Sequence, residues 1–119
     1  MTKYDWTKEL PATITVCDTH GVILMMNDKS CRTFEDEGGA ELIGKNLLDC
    51  HREPARTKVA DLLKSGLPNV YTIEKAGIKK LIYQSPWYEN GTYAGFVEIS
   101  IPIPKEMPHF IRDLPPQTS

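Results

Sequence analysis

The spacing of apolar positions changes character along the chain. In "ATITVCD", Ile14 and Val16 alternate with Thr13, Thr15 and Cys17, a largely β-branched alternation that predicts a half-buried strand. "DTHG" interrupts it: Gly21 supplies the positive φ of a tight turn and Asp18 can bond its own backbone. "VILMMN" follows as a second strand, apolar on both faces, and the two form a hairpin. From Asp28 to Asp49 the pattern loosens into short helical pieces. Asp28 is placed as the N-cap of "KSCRTF", Gly38-Gly39 as a stop, and "AELIG" as a single turn closed by Gly44. Ala55, Val59, Leu62 and Leu63 then recur at i, i+4, i+7 and i+8, the spacing of an amphipathic helix. Pro54 suits its first turn, and Gly66 with Pro68 ends it.

The remainder predicts strands: "VYTIEK", "IKKLIYQSPWY" and "TYAGFVEISIPI". Asn90-Gly91 joins the last two in a hairpin turn that needs positive φ at both residues. The fold class is therefore α+β, a five-stranded antiparallel sheet with short helices and one main helix on one face. A sheet wetted on one side should alternate cleanly, yet apolar residues occupy both faces here. The helices cover one. The other is expected to be covered by the N-terminal segment carrying Tyr4 and Trp6, or by a second copy of the chain. A short helix is expected in "YDWTKEL" and a frayed tail in "LPPQTS".

Composition narrows the functions. With 119 residues the chain is one domain, and a net charge of −2 with scattered lysines and arginines gives none of the basic stripe of a nucleic-acid binder. No apolar run approaches the roughly 20 residues that span a bilayer, and "MTKYDWTKEL" is too charged to be a signal peptide. Three cysteines, Cys17, Cys31 and Cys50, lack CxxC spacing, which argues against disulfides or structural zinc and fits a reducing cytoplasm.

This order of elements, with "ITVCDTHGVILMMND", "AELIGKNLLD" and "NGTYAGFVEIS", resembles the PAS domain family from about Ile14 to Ile103. The resemblance implies a PAS domain over residues 12–103, an N-terminal cap segment over 1–11 and a C-terminal tail over 104–119. It further implies a cytoplasmic sensor and dimerisation module, without enzymatic activity, holding a small ligand, a haem, a flavin or nothing between helices and inner sheet face. Cysteinyl-flavin chemistry is disfavoured because Leu47 stands where "Gly-x-Asn-Cys" puts its thiol. Haem is disfavoured because the main helix offers Thr57, Lys58 and Val59 but no histidine, and the chain has "DCH" rather than CxxCH. No bound group, or a small organic ligand, is the expectation; the resemblance leaves its identity open. The expected partners are a second copy of the chain and a signalling effector, separate or part of a longer protein, because no kinase, cyclase or DNA-binding segment is present.

Cys50-His51, just ahead of Pro54, has two readings. A thiol near a helix N-terminus with Arg52 and Arg56 close by gains reactivity, which makes Cys50 and His51 redox candidates. Adjacent side chains rarely form a nucleophile–base pair, however, and two ligands do not make a zinc site, so the pair serves as the chain's way into the helix. The family register turns Phe96, Glu98 and Ser100 towards the cavity and leaves Val97, Ile99 and Ile101, with Tyr4 and Trp6, as the dimer-interface candidates; hydrophobic patterning alone gives the reverse and would put Glu98 on a solvated face. Met26, Val59, Leu63, Tyr71 and Tyr83 complete the candidate pocket. An inward Glu98 needs a polar ligand, water or a partner such as Tyr83.

Overall fold

The computed structural model describes residues 4–113, and the tail expected at Leu114–Ser119 lies outside them. The strands are β1 (Thr13–Asp18), β2 (Ile23–Met26), β3 (Asn69–Lys75), β4 (Ile78–Glu89) and β5 (Thr92–Ile103); the α-helices are α1 (Asp28–Thr33), α2 (Leu47–Cys50) and α3 (Ala55–Ser65). Two 3₁₀ turns, Glu35–Glu37 and Gly39–Leu42, link α1 to α2. All five strands form one antiparallel sheet in the order β2-β1-β5-β4-β3, the α+β architecture the alternation predicts.

The first hairpin turns as its sequence dictates. Asp18 Oδ1 accepts from the backbone N–H groups of His20, 2.9 Å, and Val22, 3.0 Å. The cap of α1 differs by one residue from the expectation. Asn27, not Asp28, takes that place, because its Oδ1 accepts from Ser30 N at 3.1 Å while Asp28 is already helical. Asn27 is 2% exposed and makes three further bonds: Oδ1 accepts from Ile14 N at 3.0 Å, and Nδ2 donates to Thr7 O at 3.0 Å and Ala12 O at 2.8 Å. One side chain thereby ties β1, β2, α1 and the N-terminal segment together with every polar atom satisfied. A small core of Ile23, Met26 and Leu42, with Cys31 and Leu47 against it, packs beneath this corner.

The N-terminal segment is not helical. It docks beside α1 instead, where Asp28 N donates to Lys8 O and Lys8 pairs with the Asp28 carboxylate at 3.1 Å. It therefore does not blanket the outer sheet face as expected: Tyr4 and Trp6 stay 75% and 68% exposed, and Val70, Tyr83 and Ile101 of that face remain exposed.

The long hairpin of β4 and β5 closes at Asn90-Gly91, both at positive φ, as anticipated. It is not regular. Tyr88 pairs with Tyr93 but Trp87 pairs with Gly95, so Ala94 is left out of the ladder and every pair beyond is displaced by one residue. Gly95, at φ 144°, makes this possible: a Cβ there would lie 1.9 Å from Cys17 O of β1. Trp87 bonds the same carbonyl through Nε1 at 3.0 Å.

Candidate functional site

The bulge decides which side chains face the helices. Gln84 lies opposite Glu98, Ile82 opposite Ser100, and on the far side of β5 Thr15 lies opposite Glu98 and Cys17 opposite Phe96. These, with Asn69 and Tyr71 of β3, form the inner face. α2 and α3 stand off from it, and α3 has no buried residue. Between them lies a cleft of about 1520 Å³, open along one side to solvent, walled by Leu42, Leu47, Val59, Leu62 and Leu63. A smaller recess of about 170 Å³, bordered by Thr13, Phe34, Lys75, Lys80, Ile82 and Ser100, meets the cleft at Glu98.

The floor carries an oriented polar relay. Asn69 Nδ2 donates to Gln84 Oε1 at 2.8 Å, and Gln84 Nε2 donates to Glu98 Oε2 at 2.8 Å. Tyr71 stands close enough to Glu98 that, after burial itself, the carboxylate's charge helps to push its phenol above the ordinary tyrosine range. Thr15 and Ser30 share a 2.6 Å hydroxyl bond at the deep edge. Burial likewise raises the Cys17 thiol, which keeps it protonated beside Phe96.

Two side chains hold the helical wall in place. Asn46 caps α2 by accepting from Leu48 N at 2.9 Å and reaches the first hairpin by donating to His20 O at 2.9 Å. Tyr93 donates its hydroxyl to Leu63 O at 2.8 Å, tying the end of α3 to β5, and its ring meets Phe96 edge-on at 6.1 Å.

Of the residues singled out from the sequence, Met26, Val59, Leu63, Tyr71, Phe96 and Glu98 line the cleft and Ser100 lines the recess. Tyr83 does not. It sits opposite Ile99 and Val70 on the other face, so Gln84 takes the place beside Glu98 expected for it. A hairpin without the bulge would have paired Tyr83 with Glu98. Val97, Ile99 and Ile101 lie on that outer face with Tyr83, opposite Val16, Ile14 and Leu81 of the neighbouring strands, and Val97 also borders the cleft. Cys50 and His51 border the cleft at the end of α2. The imidazole Nδ1 donates to Leu47 O at 2.7 Å, closing the turn of α2, while Cys50 stays exposed. Among the described residues no cluster of three metal-ligating side chains exists, and no helix is long and apolar enough to cross a membrane. The sequence reading missed Asn69, Gln84, Thr15 and Tyr93. Only Tyr93, an aromatic beside the Asn-Gly turn, left a signal there.

A helix-bounded cleft over the inner face of a five-stranded antiparallel sheet defines a small class of α+β domains. No family model matches the chain, and no curated protein matches it in sequence. Solved structures do. The Aer2 receptor from Vibrio cholerae, described as a dual PAS-haem oxygen sensor, matches with TM-score 0.57 and 21% identity over 78% of this chain and 95% of that one. The PAS domain of BvgS from Bordetella pertussis matches with TM-score 0.64 and 18% identity, covering 83% and 82%. That of an HTR-like protein from Haloarcula marismortui gives 0.56 and 19%, covering 82% and 91%. The chain has the PAS fold.

Proposed function

We propose that this chain is a sensory module that holds a small organic molecule in the cleft and passes its occupancy through the sheet to a partner in the cytoplasm, without catalysis of its own. The observation that carries this reading is the pairing of an apolar helical wall with an oriented polar floor. Apolar lining with a few fixed polar groups is the usual make-up of a small-molecule site, and the strand register sets Asn69, Gln84 and Glu98 side by side on the cleft floor. The likeness in fold to receptor and sensor domains supports it. In this reading Met26, Val59, Leu63, Tyr71, Phe96 and Glu98 contact the ligand, and Val97, Ile99 and Ile101 form the contact between two copies. Native mass spectrometry of the chain purified without denaturation tests it. A retained small-molecule mass is expected. A bare chain, seen mainly as a dimer, favours instead a pure interaction module working through its outer sheet face.

One observation favours a second reading, haem. Because Leu47 O can only accept, His51 Nδ1 is the donor, so in the neutral imidazole Nε2 is the nitrogen that keeps a lone pair. That is the tautomer a haem iron takes up, and the Vibrio cholerae neighbour is described as a haem sensor. His51 would hold the iron, and the haem would supply gas or redox sensing. An intense Soret band in the purified chain, lost in His51→Ala, is the result that would establish it; a colourless protein after supply of haem rejects it.

A further inference from the structure

The cleft floor also indicates what kind of molecule it takes, if the ligand-binding reading above holds. Glu98 is half-buried on the central strand, beside Phe96 and Thr15. Its Oε2 is taken by Gln84, whose amide is turned that way because Asn69 occupies its carbonyl. Oε1 accepts no hydrogen bond among the described residues, and Glu98 lines both the cleft and the neighbouring recess. No protein cation lies within ion-pair reach of it: among the described residues the ion pair is Lys8–Asp28, which borders neither cavity. Lys45 and Lys58 stand at the exposed rim, and Lys75 and Lys80 border the neighbouring recess. This half-buried carboxylate has one oxygen without a donor and no counter-ion within reach, which leaves room for a ligand that supplies both.

We infer that the cleft takes an organic cation, an amine or amidine on an apolar body, with its N–H donating to Glu98 Oε1 and its body lying against Phe96, Val59 and Leu63. Oε2 already accepts from Gln84, so Oε1 is the oxygen with the freer acceptor sites for that charge-assisted bond.

A matched series tests it: benzamidinium, benzamide and benzoate share one ring and differ in the charge and donors of the head group. Each is titrated into the full chain with methyl-labelled Met, Leu and Val, and binding is read from the Met26, Val59 and Leu63 resonances. Benzamidinium is expected to bind at least about tenfold more tightly than the other two, the scale of a hydrogen bond to a charged group. Glu98→Gln, which keeps the size and the oxygen facing Gln84, is expected to lose that preference by a similar factor. If benzamide or benzoate moves these methyls equally well, or if E98Q binds benzamidinium unchanged, the cleft is a ligand site but the cation assignment is wrong. No response to any of the three overturns this inference, and the ligand reading then stands or falls on the native mass spectrum.

Discussion

Replacing Asn27 by alanine removes four hydrogen bonds at once and tests how this fold is held at its corner. The backbone N–H groups of Ile14 and Ser30 and the carbonyls of Thr7 and Ala12 all lose their partner. Ile14, Ala12 and Ser30 are buried, at 3%, 5% and 0% exposure, so water reaches three of the four poorly. An unsatisfied buried polar group costs about 1–3 kcal/mol. Taking the low end for three groups, and some relief from water at Thr7, gives about 3–4 kcal/mol, a large part of the roughly 5–15 kcal/mol that stabilises a domain. Urea unfolding followed by tryptophan fluorescence measures it, with an unchanged m-value as the sign that only stability moved. Asn27→Asp sharpens the test. Its carboxylate can still accept from Ile14 and Ser30 but opposes two carbonyls, so its folded-state pKa rises above the ordinary aspartate value. Its deficit should therefore be smallest below about pH 4, where both states are protonated, and grow as pH rises above that. A loss under about 1 kcal/mol for N27A would refute the reasoning.

Four further outcomes follow from other parts of the molecule. Gly95→Ala forces a Cβ to within 1.9 Å of Cys17 O and should cost about 3 kcal/mol or more, seen as a lowered circular-dichroism melt; a wild-type melt would mean the bulge does not depend on glycine. Tyr93→Phe frees Leu63 O and should cost about 0.5–1.5 kcal/mol, with faster hydrogen exchange confined to the end of α3; unchanged exchange there would remove Tyr93 as the tether. Burial holds Cys17, Tyr71 and Tyr93 above their ordinary values. The unfolded chain thus releases these protons first, and stability should fall as pH rises past about 9; a flat profile from pH 8 to 11 contradicts it. Iodoacetamide should label exposed Cys50 fastest and reach Cys17, 2% exposed, only on unfolding; peptide mapping that finds equal rates would overturn the burial assigned to Cys17.

What the sequence disclosed and what it withheld divide along physical lines. Hairpin turns, the amphipathic α3 and its Gly66 cap are local: a few residues with fixed φ or spacing determine them, and they appear where the pattern puts them. The cap of α1 was displaced by one residue because Asn and Asp compete on equal terms for that position, and only the long-range bonds of Asn27 to Thr7, Ala12 and Ile14 decide it. The partner of Glu98 was beyond reach for the same reason. Counting back from Asn90-Gly91 pairs it with Tyr83; one extra residue at Ala94, admitted because Gly95 lets β1 come close, pairs it with Gln84 and sends Tyr83 to the opposite face. The N-terminal segment, or a second copy of the chain, was expected over the sheet on apolar content alone. Its polar contacts, Lys8 with Asp28 and Thr7 O with Asn27, hold it beside α1 instead.

The most direct test of a ligand held in the cleft is a pair of methyl NMR spectra: the chain as purified without denaturation, and the same chain stripped by unfolding and refolded. The account predicts differences concentrated at Met26, Val59 and Leu63, with Ile99 and Ile101 of the outer face unmoved. Identical spectra, or changes confined to Ile99 and Ile101, would contradict it and assign the working surface to the other side of the sheet.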